Sequence, residues 1–166
     1  TVSGAVTIAA GETSLKLRIA TTDDAISESS ETFSLSTGQV TGTVTNGSGA
    51  SGTATITDND TPTLSVSSPT VTEGGLAEFT VSLSNASTQA VSFTPSLSDI
   101  TALLGTDTAA SGSLEVSTDG GSHWSTVSGA VTIAAGETSL KLRIATTDDA
   151  ISESSETFSL STGQVT

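Results

Sequence analysis

The text from Thr1 to Thr41 recurs without a single change from Thr126 to Thr166. The two copies start 125 residues apart. A period of that length is too long for a solenoid unit and fits one whole domain per repeat. Identity extends to serines that a folded domain would expose, which points to recent duplication or to one repeat read twice. The chain is therefore expected to be an excerpt from a longer tandem array that begins partway through a repeat. Neither end reads as a natural terminus, and there is no initiator Met, signal peptide or apolar spanning run. Residues 1–60 are expected to be the C-terminal part of one domain. Residues 61–166 are expected to be the next domain without its last strand. The boundary is placed at Asp60-Thr61-Pro62, where Pro62 removes a backbone donor and stiffens the joint. A sandwich missing its last strand exposes an unpaired edge, and strand complementation by another copy is the expected remedy.

Alternation with a period of two runs through the chain. Ala77, Phe79, Val81 and Leu83 share one face, with Glu78, Thr80 and Ser82 opposite. Leu140, Leu142 and Ile144 alternate with Lys141 and Arg143 in the same way. Shorter pairs are Leu64 with Val66, Val91 with Phe93, Leu114 with Val116, Val131 with Ile133, Phe158 with Leu160, and Ala54 with Ile56. Turn residues separate these runs, among them Glu73-Gly74-Gly75, Asp119-Gly120-Gly121 and Ala135-Gly136-Glu137. No window carries a helical stripe. The pattern predicts an all-β fold made of tandem immunoglobulin-like antiparallel β-sandwiches.

Composition removes several function classes. Eighteen acidic residues against four basic ones give a net charge of −14. Nucleic acid and anionic membrane surfaces call for basic patches, so neither is an expected partner. With no Cys, no disulfide can hold the fold, and stability must come from packing, from metal, or from both. Catalysis lacks parts: there is one His, no Cys nucleophile and no phosphate loop. His123 reads as the exposed arm of a hairpin with Trp124 covering an edge, and the four Phe fall at inward positions.

One motif carries charge in an unusual density. Asp23, Asp24, Glu28 and Glu31 lie within nine residues, and Asp148, Asp149, Glu153 and Glu156 repeat the arrangement. Carboxylates so crowded repel one another unless a hard divalent cation sits among them, and Ca²⁺ takes six to eight oxygens. One loop does not supply that many. In a Greek-key sandwich, Glu73 after the first strand, Asp107 between the third and fourth, the Asp148–Glu156 loop, and Asp58 and Asp60 at the end of the last strand would meet at one pole.

Val71-Thr72-Glu73-Gly74-Gly75, the run Ala77–Ser84, Ala134–Thr138, the Asp-Asp…Glu-x-x-Glu-Thr-Phe loop and the closing Ile56–Asp60 together resemble the Calx-beta domains. The resemblance covers the whole repeat, with the motifs in family order. It implies a sandwich that binds calcium at one pole, of the kind found in tandem extender arrays of large bacterial surface adhesins of the RTX type. It implies calcium-ligand roles for Glu73, Asp107, Asp148, Asp149, Glu153 and Glu156, with a backbone carbonyl from Ile151. In the other copy the same matching selects Asp23, Asp24, Glu28, Glu31, Asp58 and Asp60, with Ile26 for the carbonyl. The segment from Asp99 to Trp124 is longer than the compact family pattern, and Asn59 stands where Asp is frequent.

The expectation is a non-enzymatic extender repeat in a secreted or cell-surface fibre that serves adhesion and biofilm formation. Its cofactor is Ca²⁺ and its partners are neighbouring identical repeats, without insertion into a membrane. Two alternatives belong to other classes. One is a module that itself binds a glycan or a protein, which would need exposed aromatics. The other is a calcium-sensing regulatory domain, which near-identical tandem copies disfavour.

Overall fold

The computed structural model describes residues 4–166. Thr1 to Ser3, the first residues of the duplicated text and of the expected first domain, lie outside the described residues. The chain is all-β; among the described residues there are eleven strands and one short 3₁₀ turn at Ser111–Ser113. In chain order the strands are β1 (Glu31–Ser36), β2 (Ser51–Ile56), β3 (Leu64–Val66), β4 (Leu76–Leu83), β5 (Val91–Phe93) and β6 (Ser96–Asp99). They continue with β7 (Glu115–Ser117), β8 (Ser125–Thr126), β9 (Val131–Ile133), β10 (Ser139–Ala145) and β11 (Phe158–Ser161). Every pairing between strands is antiparallel.

Residues from Leu64 onward form an immunoglobulin-like sandwich. One layer is the five-stranded sheet β3-β4-β10-β7-β8; β5–β9 and β6–β11 form the other side. The alternation read from the sequence decides the faces. Phe79 pairs with Leu142, Val81 with Leu140 and Ala77 with Ile144, and all six are buried. They pack against Phe93, Val131 and Ile133 from the opposite layer, with Leu97, Phe158 and Leu160 closing the side. The Phe79 and Phe158 rings meet edge to face at 5.9 Å and tie the two layers together. Fully burying a side chain such as Leu142, at 0 % exposure, stabilises the fold by roughly 1.5–3 kcal/mol.

On the outer face, Lys141 bonds Glu78 at 2.6 Å and Arg143 bonds Glu115 at 2.7 Å. The Trp124 ring lies 4.0 Å from the Arg143 guanidinium carbon. Trp124 therefore covers the face of the sheet at its central strand rather than its edge. A cation over an aromatic face is attractive, and the indole body also shields the stem of Arg143. His123 projects from the β7–β8 hairpin, where Asp119 accepts from its backbone N–H at 2.9 Å.

The N-terminal copy behaves differently. Residues 5–24 form no strand and are exposed throughout. Among the described residues of this copy the strands are β1 and β2, which pair as a hairpin in register Phe33↔Ala54 and Leu35↔Gly52. Its residues are exposed except Ile56, so Phe33, expected to face inward, stands 38 % exposed. The hairpin segment meets the sandwich through short polar contacts. Ser27 N–H donates to the Ala86 carbonyl and Thr88 N–H to the Ser27 carbonyl, both at 2.9 Å, Gln89 bonds Ser29 at 2.7 Å, and Asn85 donates to the Asp60 carbonyl at 2.6 Å.

Candidate metal centre

At one end of the sandwich three loops are joined through their backbones. Gly74 N–H donates to the Thr147 carbonyl at 3.2 Å, and Thr146 N–H donates to that of Gly75 at 2.9 Å. Thr147 N–H donates to the Asp107 carbonyl at 2.9 Å. The turn before β4, the 99–108 loop and the loop after β10 thus share one frame. Gly74 makes the closest approach possible: its φ is +77°, and a Cβ there would lie 2.9 Å from the Asp148 Cβ. Only glycine allows both that conformation and that contact.

The frame brings carboxylates together from all three loops. Oxygens of Glu73, Asp149 and Glu153 lie within 4.8 Å of one another, and so do those of Asp107, Glu153 and Glu156. Glu153 belongs to both groups and joins them. Two oxygens on one Ca²⁺, each 2.3–2.6 Å from it, are at most about 5 Å apart, so the spacing and the all-oxygen donor set fit that ion. Crowding leaves an electrostatic trace. Partial desolvation, then the Asp107 charge and hydrogen bond, then Glu153, push the Glu156 carboxyl above its ordinary range.

Local bonds aim some of these groups. Asp149 Oδ1 accepts from the Ile151 N–H at 2.7 Å, two residues on, which folds the loop into an Asx turn. Asp107 Oδ2 accepts from the Leu103 N–H at 2.6 Å, and Asp99 Oδ1 from the Leu104 N–H at 2.9 Å. Asp99 was not among the sequence candidates. Its work is to fold the 99–108 loop so that Asp107 reaches the pole, and only the backbone of that loop reveals it. Asp148 stands beside Gly74 but outside both close groups.

The acids of the first copy gather in another way. Asp23, Asp24, Glu28 and Glu31 line one concavity with Asp58 and Asp60. Among the described residues, three of these carboxylates do not close to within 4.8 Å. Asp24 Oδ1 accepts from the Ile26 N–H at 2.9 Å, repeating the Asx turn of the second copy. Desolvation, then repulsion from Asp58, Asp23 and Asp24, raises the Asp60 carboxyl above its ordinary range. Ile26 and Ile151 are exposed at 41 % and 64 %. The Asn85 side-chain amide donates to the Asp60 carbonyl at 2.6 Å and is part of this joint.

A protein-family model for the Calx-beta domain matches residues 1–62 and 111–165. The matched ranges include both acidic loops together with Asp58 and Asp60. Glu73 and Asp107 fall outside them and stand on geometry alone. No curated protein and no solved structure matches the chain.

Proposed function

The chain belongs to the Calx-beta family, and from that premise we propose that it is a calcium-stiffened extender repeat of a bacterial surface or secreted adhesin fibre. The family is non-catalytic, and the reading gives this chain no reaction to perform. The observation that carries it is the joining of two carboxylate groups at Glu153, with oxygens drawn from three separate loops.

Glu73, Asp107, Asp149, Glu153 and Glu156 would hold the ion, with Asp148 alongside. Bound Ca²⁺ supplies the positive charge that cancels their mutual repulsion. The carboxylates are anchored on three loops, so cancelling the repulsion also ties the turn before β4 and the 99–108 loop to the loop after β10. At the other pole Asp23, Asp24, Glu28 and Glu31 meet Asp58 and Asp60 just before Pro62. Acids at that position couple the stiffness of a joint to cation binding. Neighbouring identical repeats are the natural partners of such a rod, and the extracellular space supplies millimolar calcium suited to a weak site.

Binding to the folded form alone stabilises it by mass action, by about 1.4 kcal/mol at a tenfold excess over Kd. Thermal melting in calcium and in EDTA tests this reading: the melting temperature is expected to rise by several degrees with calcium. Superimposable curves would remove the structural role of the ion. The sensor alternative predicts a change of shape in scattering near one calcium concentration, whereas a stiffened rod keeps its sandwich in both conditions.

A further inference from the structure

The acidic loop 24–31 has a second side. Its carboxylates turn toward Asp58 and Asp60, but its backbone at Ser27 grips the sandwich that follows. The grip is a short parallel bridge in which Ser27 lies alongside Ser87. Ser27 N–H donates to the Ala86 carbonyl and Thr88 N–H to the Ser27 carbonyl, both at 2.9 Å. The Thr88 hydroxyl donates to the same Ser27 carbonyl at 3.1 Å, and the Gln89 amide to the Ser29 hydroxyl at 2.7 Å.

Both halves of this contact are shaped in advance. On one side, Asp24 folds the Asx turn that closes immediately before Ser27. On the other, the turn after β4 is fastened to the sandwich. Gly136 N–H donates to the Ser87 carbonyl at 2.8 Å, the Ser87 hydroxyl accepts from the Gln89 N–H at 3.1 Å, and Ser87 is buried. The covalent path runs separately through Thr61 and Pro62. Ser27, Glu28, Thr61 and Pro62 line one cleft with Leu64 and Leu83. The two parts of the chain are thus attached at two places around a cleft, by the linker and by the bridge. A linker alone is a hinge; a second attachment fixes its angle.

We propose that the Ser27–Ser29 backbone is a latch whose receptor is the 85–89 turn of the following repeat, and that this latch sets the angle between successive repeats. The eight-residue strand β4 separates the receiving turn from the acidic pole at Gly74 by about 24 Å. The contact is therefore head to tail, acidic loop of one repeat onto the far turn of the next, and a contact of that kind propagates with one rotation per step. The proposal rests on the reading of the chain as part of a tandem array. It does not rest on calcium, because no carboxylate takes part in the bonds that cross the joint; a bound ion would stiffen the loop that carries the latch.

The chain has no cysteine, so a disulfide can report the latch. Bridged positions on neighbouring strands lie about 4.8 Å apart, within disulfide reach. Full-length chain carrying Ser27→Cys and Ser87→Cys, oxidised in EDTA at low concentration, is expected to close a disulfide within one chain. Ser152→Cys with Ser87→Cys uses the identical loop at the far pole and should close about tenfold more slowly or worse. In the unmodified chain, ¹⁵N relaxation should report one tumbling body for the β1–β2 hairpin and the sandwich. Thr88→Pro removes the N–H and the hydroxyl that hold the Ser27 carbonyl and should let the two parts tumble separately. Equal cross-linking of the two cysteine pairs, no cross-link at Ser27 and Ser87, or separate tumbling in the unmodified chain would overturn the latch. Melting curves that ignore calcium would remove the ion's role and leave the latch standing.

Discussion

Ser14–Ala20 and Ser139–Ala145 are the same seven residues in two states. The second is β10, the central strand, bonded to β4 on one side and β7 on the other. The first is exposed, with no strand assigned. Leu142 is 0 % exposed, while its counterpart Leu17 is 44 % exposed. Local devices do not share this split. Gly11 and Gly136 take φ +89° and +82°, with the same bond from residue i+3 back to i (Glu12 to Ala9, Glu137 to Ala134) at 3.0 Å. Asp24 and Asp149 fold the same Asx turn. Turns are bonds between near neighbours, and a copy carries them wherever it goes. A strand is a bond to a distant segment and exists only where that segment is present.

The largest expected difference between the copies lies in amide hydrogen exchange. Amides of Leu140, Leu142 and Ile144 should be protected by a factor of about 10³ or more, near the global limit, and those of Leu15, Leu17 and Ile19 hardly at all. Equal protection in the two segments would mean that the first copy finds strand partners of its own. Truncation comes next. Leu142→Ala should cost about 2–5 kcal/mol in urea unfolding, and Leu17→Ala about 0.5 kcal/mol or less.

Most strands of the sandwich, with their faces and turns, were legible in the sequence because alternation and turn chemistry are local patterns; β6 (Ser96–Asp99) and β8 (Ser125–Thr126), which carry no apolar alternation, were not. Ala77, Phe79, Val81 and Leu83 face the core as the alternation required. The fate of Phe33 was not legible. Its sequence context equals that of Phe158 for the whole duplicated segment, so no local rule separates them. Density and Greek-key topology pointed to Glu73, Asp107 and the Asp148–Glu156 loop, whose oxygens come together, but they also put Asp58 and Asp60 at that pole, and these gather instead with Asp23, Asp24, Glu28 and Glu31 of the first copy. That Glu153 joins two groups, and that Asp99 shapes the loop delivering Asp107, depended on loop backbone that no pattern encodes.

The acidic loops offer a finer test of the same comparison. Glu153→Gln removes one charge from both close groups and should weaken calcium binding about tenfold or more by titration calorimetry. Glu28→Gln, in the looser first copy, should matter less. Equal losses would place the two loops on one footing.

The smallest effect concerns pH. Glu156 and Asp60 are raised above the ordinary carboxylate range, so the folded state binds protons that the unfolded chain releases. Their repulsion is fully present above the folded pKa and is relieved as pH falls toward the ordinary carboxylate range. Melting in EDTA should therefore move upward slightly over that interval. With calcium present the same protonation competes with the ion, and the calcium-dependent increment should shrink. A melting temperature in EDTA that falls steadily over this interval would contradict the repulsion. Asp119 runs the opposite way: bonds from the His123 backbone and ring and from Ser117 hold it well below the usual range. Its contribution is present above the unfolded pKa and lost only in strong acid.

The sequence by itself determined what near neighbours can decide: the period, the alternating faces, the glycine turns, the Asx turns and the charge of the loops. The tertiary structure alone decided which copy of an identical text becomes a core strand and which carboxylates come close. A residue's own neighbours are the same in both copies. Its distant partners are not, and burial, ladder bonds and charge convergence all depend on those partners.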